Sequence, residues 1–77
     1  MSFEEFRRKL AGLGAEWVEL ESADLLVLEG YFHRIGPHGR RLLAPFRLPD
    51  RRAGVHPDLM QHVYGRLGIV ENSPSTN

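Results

Sequence analysis

The 77-residue chain has no cysteine and a single tryptophan, and its ten basic and ten acidic side chains leave a formal charge of zero. The lack of cysteine excludes a disulfide framework and any thiolate metal site, and it suits a reducing compartment such as the cytoplasm. The longest uninterrupted apolar run is residues 25–28, Leu-Leu-Val-Leu, far short of a membrane span, and no signal-peptide pattern precedes the first helical segment. The neutral total hides an asymmetry: residues 1–29 hold three basic and seven acidic side chains, residues 30–77 seven and three. The second half is therefore the one that would attract a polyanion or an acidic partner. A chain of this length buries only about 60 to 65% of its unfolded surface, a thin margin that a homodimer or another partner would improve.

Local signals order the elements. Ser2-Phe3-Glu4-Glu5 is a capping box, and Phe3, Phe6, Leu10 and Leu13 recur on one helical stripe that Gly12 and Gly14 end. Glu4 with Arg8 and Glu5 with Lys9 read as i,i+4 pairs, which makes Arg7-Arg8-Lys9 a solvated helix face. Residues 16–21 alternate as a half-buried strand, with Val18 and Leu20 directed inward and Trp17, Glu19 and Glu21 outward. Ser22-Ala23-Asp24 predicts a tight turn, and a second strand is expected from Leu25 to Ile35, its parity corrected by a bulge at Gly30. Gly36-Pro37-His38-Gly39 supplies turn chemistry, and Arg40 to Phe46 returns as a third strand.

After a loop over residues 47–56, Pro57 belongs in the first turn of a second helix capped by His56. Met60, Val63, Tyr64 and Leu67 form its stripe, and Gly68 and Ile69 match a left-handed C-cap with its hydrophobic partner. The prediction is an α+β domain over residues 1–69, in the order α-β-β-β-α, an antiparallel three-stranded meander with two helices packed on one face. Residues 70–77 are expected to be a flexible tail. The expected core is Phe3, Phe6, Leu10, Leu13, Val18, Leu20, Leu42, Met60, Val63 and Leu67.

The hairpin concentrates the chemistry. His33 can serve as a general base because its ring both accepts and donates protons near neutrality. Arg34, Arg40 and Arg41 on the hairpin, with Arg47, Arg51 and Arg52 on the following loop, are candidate RNA phosphate contacts. His33, His38, His56 and His62 have no metal-ligand spacing, so no metal or cofactor is expected. Two classes of function remain open: a nucleic-acid-binding or RNA-cleaving domain, and a catalytically silent protein-interaction module.

The spacing of Gly30, Pro37, Gly39, Arg40 and Pro45, followed by the helix HPDLMQHVYGRLGI and preceded by FEEFRRKLAGLG, resembles the small HicA-type toxins over most of residues 3–69. That resemblance implies a double-stranded-RNA-binding-like fold, an RNA-cleaving ancestry within toxin–antitoxin systems and an antitoxin-like protein partner. In the family a single catalytic histidine follows the motif glycine, whereas here Tyr31 occupies that position and His33 lies two residues further along. The resemblance therefore implies an RNA-binding domain with weak or no cleavage, or a partner or phage-type inhibitor in such a system.

Overall fold

The structure, a computed structural model, describes residues 1–70; most of the expected tail, residues 71–77, lies outside the described residues. Helix α1 spans Phe3–Gly12, strands β1, β2 and β3 span Glu16–Glu19, Leu28–Ile35 and Arg41–Leu48, and helix α2 spans Pro57–Arg66. The sheet is antiparallel in the order β1-β2-β3, both helices cover one of its faces, and the predicted α-β-β-β-α architecture is what the chain adopts.

Both helices begin and end on the residues that the sequence marks. Ser2 Oγ accepts from the Glu5 N–H at 3.1 Å and the Ser2 N–H donates back to Glu5 Oε1 at 3.0 Å, which holds the Glu5 carboxyl below its usual range. His56 Nδ1 accepts from the Asp58 N–H at 3.1 Å, so an imidazole serves as the α2 N-cap. At the α2 C-terminus Gly68 takes φ 68°, and Ile69 N–H reaches the Tyr64 carbonyl at 2.9 Å. Gly14 at φ 87°, with Ala15 N–H on the Leu10 carbonyl, repeats this Schellman geometry after α1. On the α1 surface Arg7 lies 4.0 Å from Glu4, a spacing one residue shorter than the pairs expected, and the Lys9 ammonium sits 5.6 Å over the Tyr64 ring.

The core is more aromatic than expected. Phe3, Phe6 and Leu10 of α1 meet Phe32 and Phe46 of the hairpin, and Val63, Tyr64 and Leu67 of α2 close the other end. Leu28, Ala44, Leu48, Ala15 and Val55 complete it, while Leu42 and Met60 pack at its margin. Three expected core residues are not there. Leu13 is the α1 C-cap and Leu20 lies past the end of β1, each more than two-fifths exposed, and Val18 faces away from the helices.

Val18 and Trp17 exchange the faces expected of them. Trp17 pairs with Phe32, its ring centroid 4.8 Å from that ring and 5.0 Å from Phe3, so the indole belongs to the helix side. An indole offers far more apolar area than a valine side chain, and the strand turns to bury the larger group. Gly30 accommodates it. The expected bulge is absent, since β2 pairs unbroken with β3 from Leu28↔Leu48 through Gly30↔Phe46 to Ile35↔Arg41, and with β1 from Glu19↔Gly30 to Glu16↔His33. A Cβ on residue 30 would overlap the Val18 carbonyl oxygen and come within 2.7 Å of Trp17 Cη2. Glycine is required here for a side chain to cross the strand, a second meaning of glycine inside a strand.

The second strand also starts later than expected. Asp24 Oδ1 accepts from the Leu26 N–H at 2.9 Å and the Asp24 carbonyl from the Val27 N–H at 3.1 Å, a local turn that keeps Leu25 out of the sheet and 84% exposed. At the hairpin, Pro37 and Gly39 act as predicted, but His38 also adopts a left-handed conformation, φ 67° and ψ 16°.

Candidate nucleic-acid interface

Strand parity divides the hairpin into two chemistries. On the helix side lie Leu28, Phe32 and Arg34 from β2, with Leu42, Ala44, Phe46 and Leu48 from β3. On the open side lie Glu29, Tyr31, His33 and Ile35 from β2, and Arg41, Leu43, Pro45 and Arg47 from β3. Strand β1 adds Glu16 opposite His33 and Val18 opposite Tyr31. The middle of the open face is thus two cross-strand rows, Glu16-His33-Leu43 and Val18-Tyr31-Pro45. Arg41 lies diagonally from His33 and Arg47 diagonally from Tyr31, within reach of long side chains.

The Tyr31 and His33 ring centroids are 6.1 Å apart, with their planes at 51°. His33 Nε2 lies 3.6 Å from Glu16 Oε1. Next to Tyr31 a shallow depression of about 450 Å³ is lined by Leu20, Glu29, Leu43, Pro45 and Arg47. The free edge of β3 is less available than its face. Pro45 has no N–H to offer, and the Leu43 carbonyl already accepts from Arg66 Nε at 3.3 Å. A different hollow of about 480 Å³, beside β1, is lined by Glu19, Glu21 and Asp24 with Arg51 and does not suit a polyanion.

The six candidate arginines do not share one surface. Arg34 sits on the helix side, its Nε 3.0 Å from the Leu13 carbonyl and its Nη1 3.0 Å from the Leu67 carbonyl. Those carbonyls belong to the C-cap residues of α1 and α2, so one guanidinium neutralises the negative ends of both helices. Arg51 Nη2 bonds Glu19 Oε2 at 3.1 Å and the Val27 carbonyl at 3.2 Å, latching the loop before α2 to the end of β1. Arg52 makes a fork on Asp50 at 3.0 and 2.9 Å, which holds the Asp50 carboxyl down at about 2. Only Arg40, Arg41 and Arg47 are left, exposed and with side chains bonded to nothing among the described residues.

The structure therefore joins Tyr31, His33, Arg41 and Arg47 on one face, with Arg40 at its hairpin end, and takes Arg34, Arg51 and Arg52 away from it. The sequence alone does not place Val18, Leu43, Pro45, Glu16 and Glu29 beside them; alternation along β2 supplies Glu29, and the other four need the pairing register of β1 and β3. Among the described residues no group of three or more His, Cys, Asp or Glu could hold a metal ion, and no helix is long and apolar enough to cross a membrane. No family model, curated protein or solved structure matches the chain, so the surface is read from its own geometry.

Proposed function

We propose that the open face of the sheet binds RNA without cleaving it. The observation that carries this is the register of β2 and β3, which gathers two planar side chains and two unengaged guanidiniums on the face that no helix covers. Arg40, Arg41 and Arg47 supply charge to phosphate, while Tyr31 and His33 supply ring surface. Cleavage is not favoured by the same geometry. Arg34, expected as a phosphate clamp beside His33, is directed to the helix C-termini instead, and residue 31, where the family's histidine would stand, is a tyrosine. The cysteine-free chain suits a cytoplasmic RNA ligand, and the resemblance to the HicA-type toxins agrees with this proposal.

The test is the triple variant Arg40→Ser, Arg41→Ser and Arg47→Ser. Loss of three phosphate contacts on single-stranded RNA should flatten the slope of log affinity against log salt by about 2, with the melting temperature unchanged. An unchanged slope would refute the assignment of these arginines. Incubation with a mixed RNA pool beside a His33→Ala control checks the silent chemistry; cleavage that disappears in the control would make His33 catalytic.

One observation favours a second reading. Leu20, Leu43 and Ile35 are each about half exposed on or beside this face, and Glu29 stands opposite Arg47, an apolar centre with balanced charge at its rim. That pattern fits a protein partner of antitoxin type or a homodimer, and concentration-dependent self-association with no RNA affinity would establish it.

A further inference from the structure

Resting on the RNA-binding proposal, we infer that the ligand is single-stranded and that two of its bases leave their neighbours to stack on Tyr31 and His33. Charge cannot be the main source of affinity on this face. Three free guanidiniums are offset in part by Glu29, opposite Arg47, and Glu16, 3.6 Å from His33. A duplex presents phosphate and shape, and a surface this nearly neutral gains little from either. Rings, in contrast, bind bases whatever their sequence, because every base has a π face.

The spacing selects the conformation of the strand. Bases in a duplex follow one another at about 3.4 Å, whereas the two ring centroids are 6.1 Å apart. Adjacent rings at nearly twice the stacking distance cannot engage a continuous stack; they accept bases that have been splayed. Their place on the central strand leaves an arginine beyond each, Arg41 past His33 and Arg47 past Tyr31. These two positions are six residues apart, roughly 20 Å along β3. A short extended oligonucleotide lying along the hairpin would put phosphate near both cations and bases on both rings. The shallow depression beside Tyr31 leaves room for a base edge against Leu43 and Pro45.

The experiment measures affinity by fluorescence anisotropy for a labelled oligouridylate of about eight nucleotides, the matching oligothymidylate and an RNA duplex of about 16 base pairs, using the full chain at low salt. The parent should prefer the single strands to the duplex. Tyr31→Phe should keep that affinity, and Tyr31→Val, which preserves strand propensity, should weaken it about 5- to 150-fold. A thermal melt of each variant confirms that it is folded at the assay temperature. Equal affinity for the ribo- and deoxyribo-oligomers supports stacking on bases alone, and a preference for ribose supports it with an added contact to the 2′-hydroxyl. Equal binding of duplex and single strand, unaltered by Tyr31→Val, overturns the inference and leaves RNA binding standing. Binding of none of the three probes overturns both.

Discussion

The two faces of the sheet are built from the same strands, yet they use arginine and aromatic side chains in opposite ways. On the helix side Trp17, Phe32 and Phe46 pack ring against ring, and Arg34 is consumed by two helix C-caps. On the open side Tyr31 and His33 are half-buried with their rings 6.1 Å apart, and Arg41 and Arg47 have no bonded partner among the described residues. The difference between Arg34 and Arg41 lies in which side of a pleated strand each falls on. A side chain becomes available for a ligand when the fold makes no use of it.

The comparison is broken most strongly from the core. Leu10 is completely buried, and Leu10→Ala should cost about 2 to 5 kcal/mol, enough to threaten so small a domain; a melt like that of the parent would show that the α1 stripe is not the core stripe. Gly30→Ala comes next, at about 1 to 3 kcal/mol. The added methyl would push against backbone at Val18 and against the indole of Trp17. Chemical denaturation should show the loss, and the near-ultraviolet dichroism of the single tryptophan should change with it.

Arg34→Met sharpens the contrast between the faces. Removing the guanidinium leaves the Leu13 and Leu67 carbonyls without their charged donor and should cost about 1 to 3 kcal/mol. Arg47→Met, an identical change on the other side, should stay within about 0.5 kcal/mol. Equal effects from the two substitutions would remove the distinction. The smallest effect has the opposite sign: His38 holds a left-handed conformation, and His38→Gly should stabilise the turn slightly, by no more than about 1 kcal/mol.

Acid should act on one loop contact in a direction that follows from its pKa. Asp50 is held at about 2 against an ordinary 3.8. Its folded value is depressed, so its contribution is full above about 4 and is lost as pH falls toward 2. The chemical shift of the Arg52 guanidinium should follow that titration.

Much of the fold could be read from the chain because its signals are local. Ser2 with Glu5, His56 before Pro57, and Gly68 before Ile69 each satisfy backbone groups within a few residues, and no distant contact is needed to interpret them. Strand parity is not local. Residues 16–21 alternate equally well in either sense, and the choice was made by Gly30, fourteen residues after the strand begins, which opens a slot for Trp17. Glycine inside a strand signals a bulge and a close approach alike, and only the facing side chain separates them. The candidate site suffered from the same limit. Tyr31 and His33 could be placed on one face from their spacing, whereas the engagement of Arg34, Arg51 and Arg52 depended on carbonyls and carboxylates at least two residues and as many as 33 residues away.

The central claim, that the open face binds RNA and the covered face holds the fold, is tested most directly by titrating the isotopically labelled chain with a single-stranded oligouridylate and following every backbone amide by NMR. The account predicts shift changes at Tyr31, His33, Leu43 and Arg47, with the amides of α1 and α2 unmoved. Changes confined to the helices, or no change at any residue, would contradict it.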